Sequence, residues 1–222
     1  MTGKIKLVHS GGNAVSIAVP TSNPSSSEVE FKLPQSDGSA NQRLITDGSG
    51  NLSVANAGAS GKILKVENFV YKGLSSAQRV SNAYIATPLV CSITPSAASS
   101  KIYVVYNLIV GPNDGVRSGA TVYRDINSGG YSQLDTIKAN TDGSSQRLSS
   151  ISNGPTQWTP QTLSNCFVDT PSYSVGNAIS YKLYTWAESN ATLYINRIYA
   201  HDNGSTSYGV GCSTMTLMEI AV

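Results

Sequence analysis

The residues able to act as acids, bases or nucleophiles are few and scattered along this chain. Its two histidines, His9 and His201, lie far apart in sequence, and no Gly-x-Ser-x-Gly motif precedes a predicted helix, as a serine hydrolase requires. Glycan hydrolysis needs two carboxylates at a defined separation, but no spacing selects a pair. We therefore expect no catalytic residue and no enzymatic activity. The acidic side chains considered are Asp125, Asp135, Asp142, Asp169, Glu188 and Asp202.

The sequence also predicts no metal and no cofactor. The Asn-rich and Asp-rich turns at residues 113–115, 140–143 and 201–204 lack the alternating ligand spacing of a calcium loop. The cysteines are odd in number and widely spaced, which fits neither a disulfide framework nor a four-thiolate zinc site. We expect all three thiols to be buried in strands as small hydrophobic groups. They are Cys91, Cys166 and Cys212.

Aromatic residues are the stronger candidates for binding. The chain has 12 tyrosines and 2 tryptophans against 3 phenylalanines, and rings with a polar group favour interfaces and sugar-facing surfaces. Trp158 lies in a Pro-rich loop, and Tyr131 and Tyr208 lie in Gly-flanked loops. We predict these three residues as receptor or glycan contacts, since loops often carry binding residues. The tyrosines at 103, 106, 181, 184, 194 and 199 are instead expected to pack within strands and subunit contacts.

The elements that must position these residues show a period of two. In SKIYVVYNLIV, alternate residues from Ile102 to Val110 share one apolar face, and the opposite face is also largely apolar, so a strand buried on both sides is predicted. Similar runs recur between Gly, Pro, Asn and Asp clusters. No stretch has the pattern and caps of a long amphipathic helix. The predicted class is all-β.

The chain has a predicted boundary in the small-residue stretch ANAGASG. Residues 1–60 hold brief strands around KIKLVH, AVSIAV and EVEFKL that could not bury a core alone. Residues 61–222 show recurring strands with longer loops, which is typical of a β-sandwich of the jelly-roll kind. We therefore predict a small β-rich connector followed by a sandwich domain.

Charge and hydropathy exclude several classes of partner. The formal net charge is +2 and only 13% of residues are charged, against about 25% in an average soluble protein. The basic residues are not clustered, so we expect no nucleic-acid partner. No segment has the apolar length of a membrane span or of a secretory signal. We expect synthesis in a cytoplasm and no membrane insertion.

The stretch LPQSDGSANQRLITDGSGNLSV at residues 33–54 resembles a linker that recurs in fibre and appendage proteins of tailed phages, especially those of marine and cyanobacterial hosts. The preceding KIKLVHSGGNAVSIAVP is similar to the β-rich N-terminal segment of those proteins. SITPSAASSKIYVVYNLIVG and TLYINRIYAHDNGSTSYGVGCSTMTLMEIAV resemble their terminal domain. The matching linker positions are Leu33, Pro34, Asp37, Gly38, Gln42, Leu44, Thr46, Asp47, Gly48, Ser49, Gly50, Asn51, Leu52 and Ser53.

This resemblance implies a virion protein made in the cytoplasm of a bacterial host. It also implies a homotrimer that is attached to other virion proteins, a capsid, tail or baseplate component, through residues 1–60. The sandwich domain would then face outward, either for adhesion to a host surface glycan or as a capsid decoration. The resemblance does not separate a tail location from a head location.

The physical properties of the linker agree with a connector. Asp37-Gly38 and Asp47-Gly48 are predicted turns in which glycine adopts a positive φ without steric penalty. Short strands joined by such turns are marginal in one chain but become stable when several copies pack together. Two alternatives stay open: a monomeric carbohydrate-binding module, and, with less support, a polysaccharide depolymerase.

Overall fold

The computed structural model confirms the all-β prediction. It describes residues 4–18, 32–35, 38–40, 42–49, 51–56, 61–78, 83–112, 116–140, 143, 145–153, 156, 158–199 and 209–222, and within these ranges every regular element except two short 3-10 helices is a strand. No helix in this part of the chain is long and apolar enough to cross a membrane. The chain divides into two compact units, residues 1–58 and 59–222, called unit 1 and unit 2 below.

The described part of unit 1 contains two antiparallel hairpins. Strands β1 (Lys4–Val8) and β2 (Ala14–Ala18) form one, and strands β3 (Gln42–Thr46) and β4 (Leu52–Asn56) form the other. None of the described side chains of this unit is buried. A two-stranded hairpin has no second layer to cover its apolar face. The large apolar side chains left exposed are Ile5, Leu7, Val8, Leu33, Leu44 and Ile45.

The two glycine turns of the linker differ from each other. Gly48 has a positive φ of 82°, in a five-residue loop between β3 and β4 where the Asp47 carboxylate accepts the Ser49 N–H at 2.8 Å. Gly38 does not adopt a positive φ, so that part of the prediction is wrong. Its lack of a side chain serves close packing instead, since a β-carbon there would lie 2.8 Å from Gln42 Oε1. Asp37, and most of the EVEFKL strand prediction, lie outside the described residues.

Unit 2 contains the remaining strands, which form two sheets. Sheet I has the order β10-β9-β13-β7, with β11 also paired to β9; sheet II has the order β5-β15-β8-β14-β6, with β12 also paired to β8. All these pairings are antiparallel. The strands are β5 (Ile63–Tyr71), β6 (Ser75–Gln78), β7 (Ile85–Ile93), β8 (Lys101–Pro112), β9 (Arg117–Ile126), β10 (Ser132–Gln133), β11 (Ser150–Asn153), β12 (Gln161–Asp169), β13 (Ile179–Ala187), β14 (Thr192–Ile195) and β15 (Ser213–Ile220).

The two sheets pack as a β-sandwich around one hydrophobic core. Alternate residues of each strand point inward, as the period-two pattern predicts. On the central strands β8 and β13, Tyr106 and Tyr181 are fully buried between aliphatic neighbours. The outward residues of β8 from Lys101 to Ile109 are only partly covered or exposed. The prediction that β8 is buried on both sides is therefore not met within one chain.

A buried ionic cluster joins the two sheets. Arg124 on β9 donates from one guanidinium nitrogen to both oxygens of Asp169 on β12, at 2.8 and 2.7 Å. The Tyr181 hydroxyl donates to the same carboxylate at 2.7 Å. Burial, followed by the Asp169 charge, raises the pKa of Tyr181, so its proton stays in place to donate. The charge on Asp169 is thereby compensated inside the sandwich.

Unit 2 begins and ends at the same end of the sandwich. Gly61 N–H donates to the carbonyl of Ala221 at 2.8 Å, and Ala221 N–H donates to the carbonyl of Lys62 at 2.9 Å. We call this the proximal end, which also holds the segments 94–100, 127–131 and 170–178. The last residues of β8, β11 and β13 lie at the opposite, distal end.

Candidate functional site

A row of residues on the outward face of sheet I forms the floor of a cleft at the distal part of the sandwich. Trp186 on β13 and Ile151 on β11 are both register partners of Gly119 on β9. Directly paired residues of antiparallel strands point to the same face, and the neighbours of Trp186 on β13, Thr185 and Ala187, point into the core. The row therefore places an indole and an aliphatic side chain on either side of a glycine.

Gly119 makes room for part of the floor of this cleft. A β-carbon at Gly119 would overlap Leu148 Cδ1 and lie 2.8 Å from the carbonyl oxygen of Ser150. Leu148 can therefore lie against the backbone of β9, where it is buried. Ile151 remains 77% exposed on the open side. The floor is consequently apolar, and part of it is accessible to solvent.

Polar groups line the distal rim of the same cleft. Arg117 and Asn153 are register partners on β9 and β11, and the Arg117 guanidinium lies 3.3 Å from the Glu188 carboxylate at the end of β13. Ser145 and Gln146 complete the lining of a cleft of about 860 Å³, called the Trp186 cleft below. Its size and its combination of apolar floor and convergent polar groups are typical of a small-molecule site.

A second, smaller cleft at the distal end contains the predicted residue Trp158. It has a volume of about 310 Å³ and includes Pro160, Arg197 and Val210. Trp158 is 51% exposed. The Arg197 guanidinium lies 4.1 Å from the ring centroid of Tyr194, close enough for a cation–π contact. Arg197 is thus held against β14, beside Trp158 rather than in open solvent.

A buried amide shapes the base of this second cleft. Asn196, which is fully buried with a φ of 63°, donates through Nδ2 to the carbonyls of Tyr71 and Gly73 at 2.8 and 2.9 Å. Its Oδ1 accepts the Ser213 hydroxyl at 2.6 Å. These bonds fix the end of β14 to β5 and β15. This second cleft, called the Trp158 cleft below, is therefore built on a rigid base.

Tyr131 lies near the proximal end, so the structure does not bring it together with Trp158. It follows the turn after β9, and the Lys182 ammonium is 5.6 Å from its ring centroid. Burial raises the pKa of Tyr131. Beside it on the outward face of sheet I, Tyr123 and Tyr184 stack with centroids 3.9 Å apart. Tyr208 lies outside the described residues, next in sequence to Gly209, which lines the Trp158 cleft.

The outward face of sheet II carries no charged residue over three successive cross-strand rows. In each row, one residue from β12, β8, β15 and β5 points outward. Val168 and Val66, at the two ends of the first row, are 50% and 53% exposed. We call these rows the sheet II outer face. They are Val168-Tyr103-Met218-Val66, Cys166-Val105-Thr216-Asn68 and Ser164-Asn107-Thr214-Val70.

The cysteine prediction is correct at one position and wrong at two. Cys91 is buried, and burial raises its pKa to about 11. Cys166 and Cys212 are exposed. Cys166 points outward because it alternates with the core side of β12, and its hydrogen bond with Tyr103 raises the pKa of that tyrosine. A thiol therefore lies in the middle of the sheet II outer face.

The acidic residues considered for catalysis are engaged separately. Asp169 pairs with Arg124, Glu188 with Arg117, and Asp135 with Lys138. Asp125 accepts the Gly130 N–H at 3.0 Å. His9 accepts the Gly11 N–H at 3.0 Å in unit 1. The predicted turn residues Asp142, His201 and Asp202 lie outside the described ranges, and among the residues within them no three His, Cys, Asp or Glu converge as metal ligands.

Sequence reasoning missed the Trp186 cleft. The alternation in ISYKLYTW does place Trp186 on the polar side of β13, with Ser180 and Lys182, and a tryptophan on that side is a signal. Its partners Arg117, Asn153 and Glu188 come from three separate strand ends. Only the pairing of β9 with both β11 and β13 brings them together.

Comparisons with known proteins do not identify a family. No family model matches the chain, and no curated protein matches it. Among solved structures, Eiger TNF from S. frugiperda aligns with a TM-score of 0.36 and 10% identity, over 72% of this chain and 94% of the other.

Two structures of infectious bursal disease virus also align. The Gx strain gives a TM-score of 0.39 and 11% identity over 77% of this chain and 39% of the other. The Gt strain gives 0.36 and 14% over 95% of this chain and 48% of the other. This chain thus spans less than half of either viral chain, and similarity at these scores assigns no function.

Proposed function

We propose that this chain is a non-enzymatic structural protein of a phage virion, the subunit of a homotrimeric fibre or spike. Residues 1–60 attach it to other virion proteins, and the sandwich is displayed for host-surface adhesion or capsid decoration. The linker motif at residues 33–54 supports the phage part of this proposal through its resemblance to fibre proteins. The sheet II outer face supports the assembly part.

The sheet II outer face is the observation that carries the trimer. Its exposed valines, together with Met218 and Tyr103, form an apolar surface of the kind that marks protein contacts. Three copies of one chain bring the same surface of each copy together around a three-fold axis, where like charges would repel, so an uncharged face suits this assembly. Covering this face would also bury the second side of β8, as its sequence predicts.

The solution mass of the full chain tests this proposal. Light scattering after size exclusion is expected to give about three times the 23.3 kDa chain mass. A chain lacking residues 1–60 shows which region holds the trimer: loss of the trimer assigns assembly to unit 1, and its retention assigns assembly to unit 2. A monomeric full chain contradicts the proposal and favours the carbohydrate-binding module.

A matched pair of variants tests the face itself. Thr216→Asp places a charge in the central row of the sheet II outer face, and should shift the trimer to monomer. Ala86→Asp places the same charge on the outward side of β7 in sheet I, where Ala86 is exposed and pairs with Tyr184. It should leave the mass unchanged. Equal behaviour of the two variants would argue against this interface.

Cys166 provides a second readout without a mutation. In the proposed trimer it is covered, whereas Cys212, also exposed in the single chain, precedes β15 outside the three rows. Maleimide should therefore label Cys212 first, and Cys166 only after dissociation. Equal labelling of both thiols in the intact trimer would contradict the proposed interface.

A monomeric carbohydrate-binding module is the second candidate function. The Trp186 cleft favours it, because a floor that contains Trp186 and the exposed Ile151, below a polar rim, is a binding feature within a single unit 2. The two candidates differ in oligomeric state, so the mass measurement separates them.

A further inference from the structure

We propose that the Trp186 cleft is a binding site for a neutral saccharide. This gives a location to the adhesion part of the proposed function and rests on it for biological purpose, although the binding chemistry is present in one copy of unit 2. The site differs from the loop aromatics that the sequence pointed to.

The shape of the cleft fits one face of a sugar ring. Pyranose rings present a side of C–H groups, which packs on the electron-rich face of an indole. Trp186 and Ile151 lie in one row across the sheet, separated by Gly119. Since Leu148 fills the space above Gly119, the floor is continuous and apolar. A flat ring can therefore lie across this floor.

The rim fits the hydroxyl groups of the same ligand. A sugar hydroxyl both donates and accepts hydrogen bonds, so it pairs best with a set of donors and acceptors. Arg117 supplies donors, Glu188 supplies acceptors, and the amides of Asn153 and Gln146 supply both. Hydrogen bonds to the charged members are the stronger ones.

The charge balance favours a neutral ligand. Arg117 and Glu188 lie 3.3 Å apart and compensate each other, and the remaining lining residues of the described cleft are uncharged. A sialylated, sulfated or phosphorylated ligand would meet a guanidinium already paired with a carboxylate. Specific recognition of such an anion needs an available cation.

The position of the cleft also suits multivalent binding. It lies on the outward face of sheet I, whereas the proposed trimer contact uses the outward face of sheet II. Both can therefore be occupied together. Several copies on one particle raise the effective concentration, so a weak affinity for each sugar is sufficient for adhesion.

Tryptophan fluorescence offers a direct test, since the chain has 2 tryptophans. In the full-length Trp158→Phe variant, Trp186 is the single emitter. It is titrated with gluco-, manno-, galacto- and N-acetylglucosamine oligosaccharides, with sialyllactose as the anionic comparison. We expect a saturable change with at least one neutral oligosaccharide and no saturable change with sialyllactose. The reciprocal Trp186→Phe variant should show no change at Trp158.

Rim variants assign any binding to the cleft. Asn153→Ala and Glu188→Ala are each expected to weaken affinity about tenfold, since each removes one good polar contact. Thr170→Ala, a polar truncation at an exposed position of the proximal end, outside the cleft and the sheet II outer face, should leave affinity unchanged. Circular dichroism and thermal unfolding confirm that each variant is folded.

Three results would overturn the inference. They are no saturable change with the whole neutral panel, binding restricted to sialyllactose, and binding that the folded rim variants leave unaltered. Light scattering on the same samples reports the trimer separately. Loss of the trimer with saccharide binding retained would reject the fibre proposal and keep the site, and the opposite result would reject the site alone.

Discussion

Units 1 and 2 use the same secondary structure but differ in what stabilises it. In unit 1, Leu44 on β3 is 56% exposed, and no described side chain is buried. In unit 2, Leu217 on β15 is fully buried within a core that both sheets share. A strand needs a second layer before its apolar alternation contributes to stability.

The comparison teaches that hairpin formation and domain stability are separate properties in this chain. Unit 1 satisfies the hydrogen bonds of its strands through hairpin pairing and turn side chains. Unit 2 adds burial of apolar area, at about 25 cal/mol per Å². Among the described residues only unit 2 therefore has a core, and our proposal gives unit 1 a further surface from other copies or other virion proteins.

The largest expected difference comes from the same truncation made in each unit. Leu217→Ala removes buried volume from the core and should lower the free energy of unfolding by about 2–5 kcal/mol. Leu44→Ala removes exposed surface, and should change the unfolding of unit 2 by less than about 0.5 kcal/mol. Denaturant unfolding followed by tyrosine and tryptophan fluorescence measures both. Similar losses of unfolding free energy in the two variants would contradict the difference between units 1 and 2.

The next largest effect concerns a buried carboxylate at the proximal end. Glu219 is fully buried and accepts the N–H groups of Ser96 and Ala97 at 2.9 and 3.1 Å, and the Ser100 hydroxyl at 2.8 Å. Burial acts to raise the pKa of Glu219, but these donors outweigh it and lower the pKa. Glu219→Gln replaces an acceptor with a donor, and should destabilise unit 2 by about 1–3 kcal/mol at neutral pH.

The sign of the pH dependence follows from that shift. Because the folded pKa of Glu219 lies below its unfolded value of about 4.3, its stabilisation is complete above that value. It is lost as the pH falls through the folded pKa. Thermal unfolding between about pH 6 and pH 3 should therefore show a shallower acid decline in Glu219→Gln than in the wild type. Glu67→Gln, which removes the ion pair with Lys65, is the matched control. An unchanged acid decline would contradict the role of Glu219.

A smaller effect is expected from deleting unit 1. Residues 59–222 contain the whole sandwich core, so this fragment should keep the unfolding free energy of unit 2 within about 0.5 kcal/mol. The comparison is made with the full chain in the same oligomeric state. A fragment that does not fold would show that unit 2 depends on unit 1.

The smallest expected effect is confined to one loop of unit 1. Asp47 accepts hydrogen bonds from the side-chain amide of Asn51 at 2.6 Å and from the backbone N–H of Ser49 at 2.8 Å. These bonds lower the pKa of Asp47. Asp47→Ala should increase amide hydrogen exchange at Ser49 and Asn51 and leave the unfolding of unit 2 unchanged. A change in the hydrogen exchange of β15 amides would contradict the expectation that units 1 and 2 unfold independently.

Sequence predicted the strands because alternation is a local signal. The inward residues of β13 could be assigned from the pattern alone, since each lies two positions from the next and the opposite face is polar. The two faces of β8 are both apolar, so the pattern did not tell its inward side from its outward side. The prediction of a positive φ at Gly38 failed, because an Asp-Gly pair fits both a left-handed turn and a close contact with another side chain. Local sequence does not distinguish these two reasons for glycine.

The candidate site could not be predicted in the same way. The Trp186 cleft depends on which strands are neighbours, and β9 pairs with β11 and β13 across long intervals of sequence. Cys166 was misassigned for a related reason. Its face of β12 is set by register with β8, and its apolar character does not reveal which side the core occupies.

The two hydrogen bonds between residues 61–62 and Ala221 have a consequence for how this protein can change over time. A domain whose first and last strands meet at one point has both of its chain ends at one place on its surface. Such a domain can be exchanged for another with the same spacing while unit 1 stays intact. Genes that recombine within the small-residue stretch at residues 57–61 would replace the whole of unit 2, and under our proposal the surface that meets the receptor, in a single event.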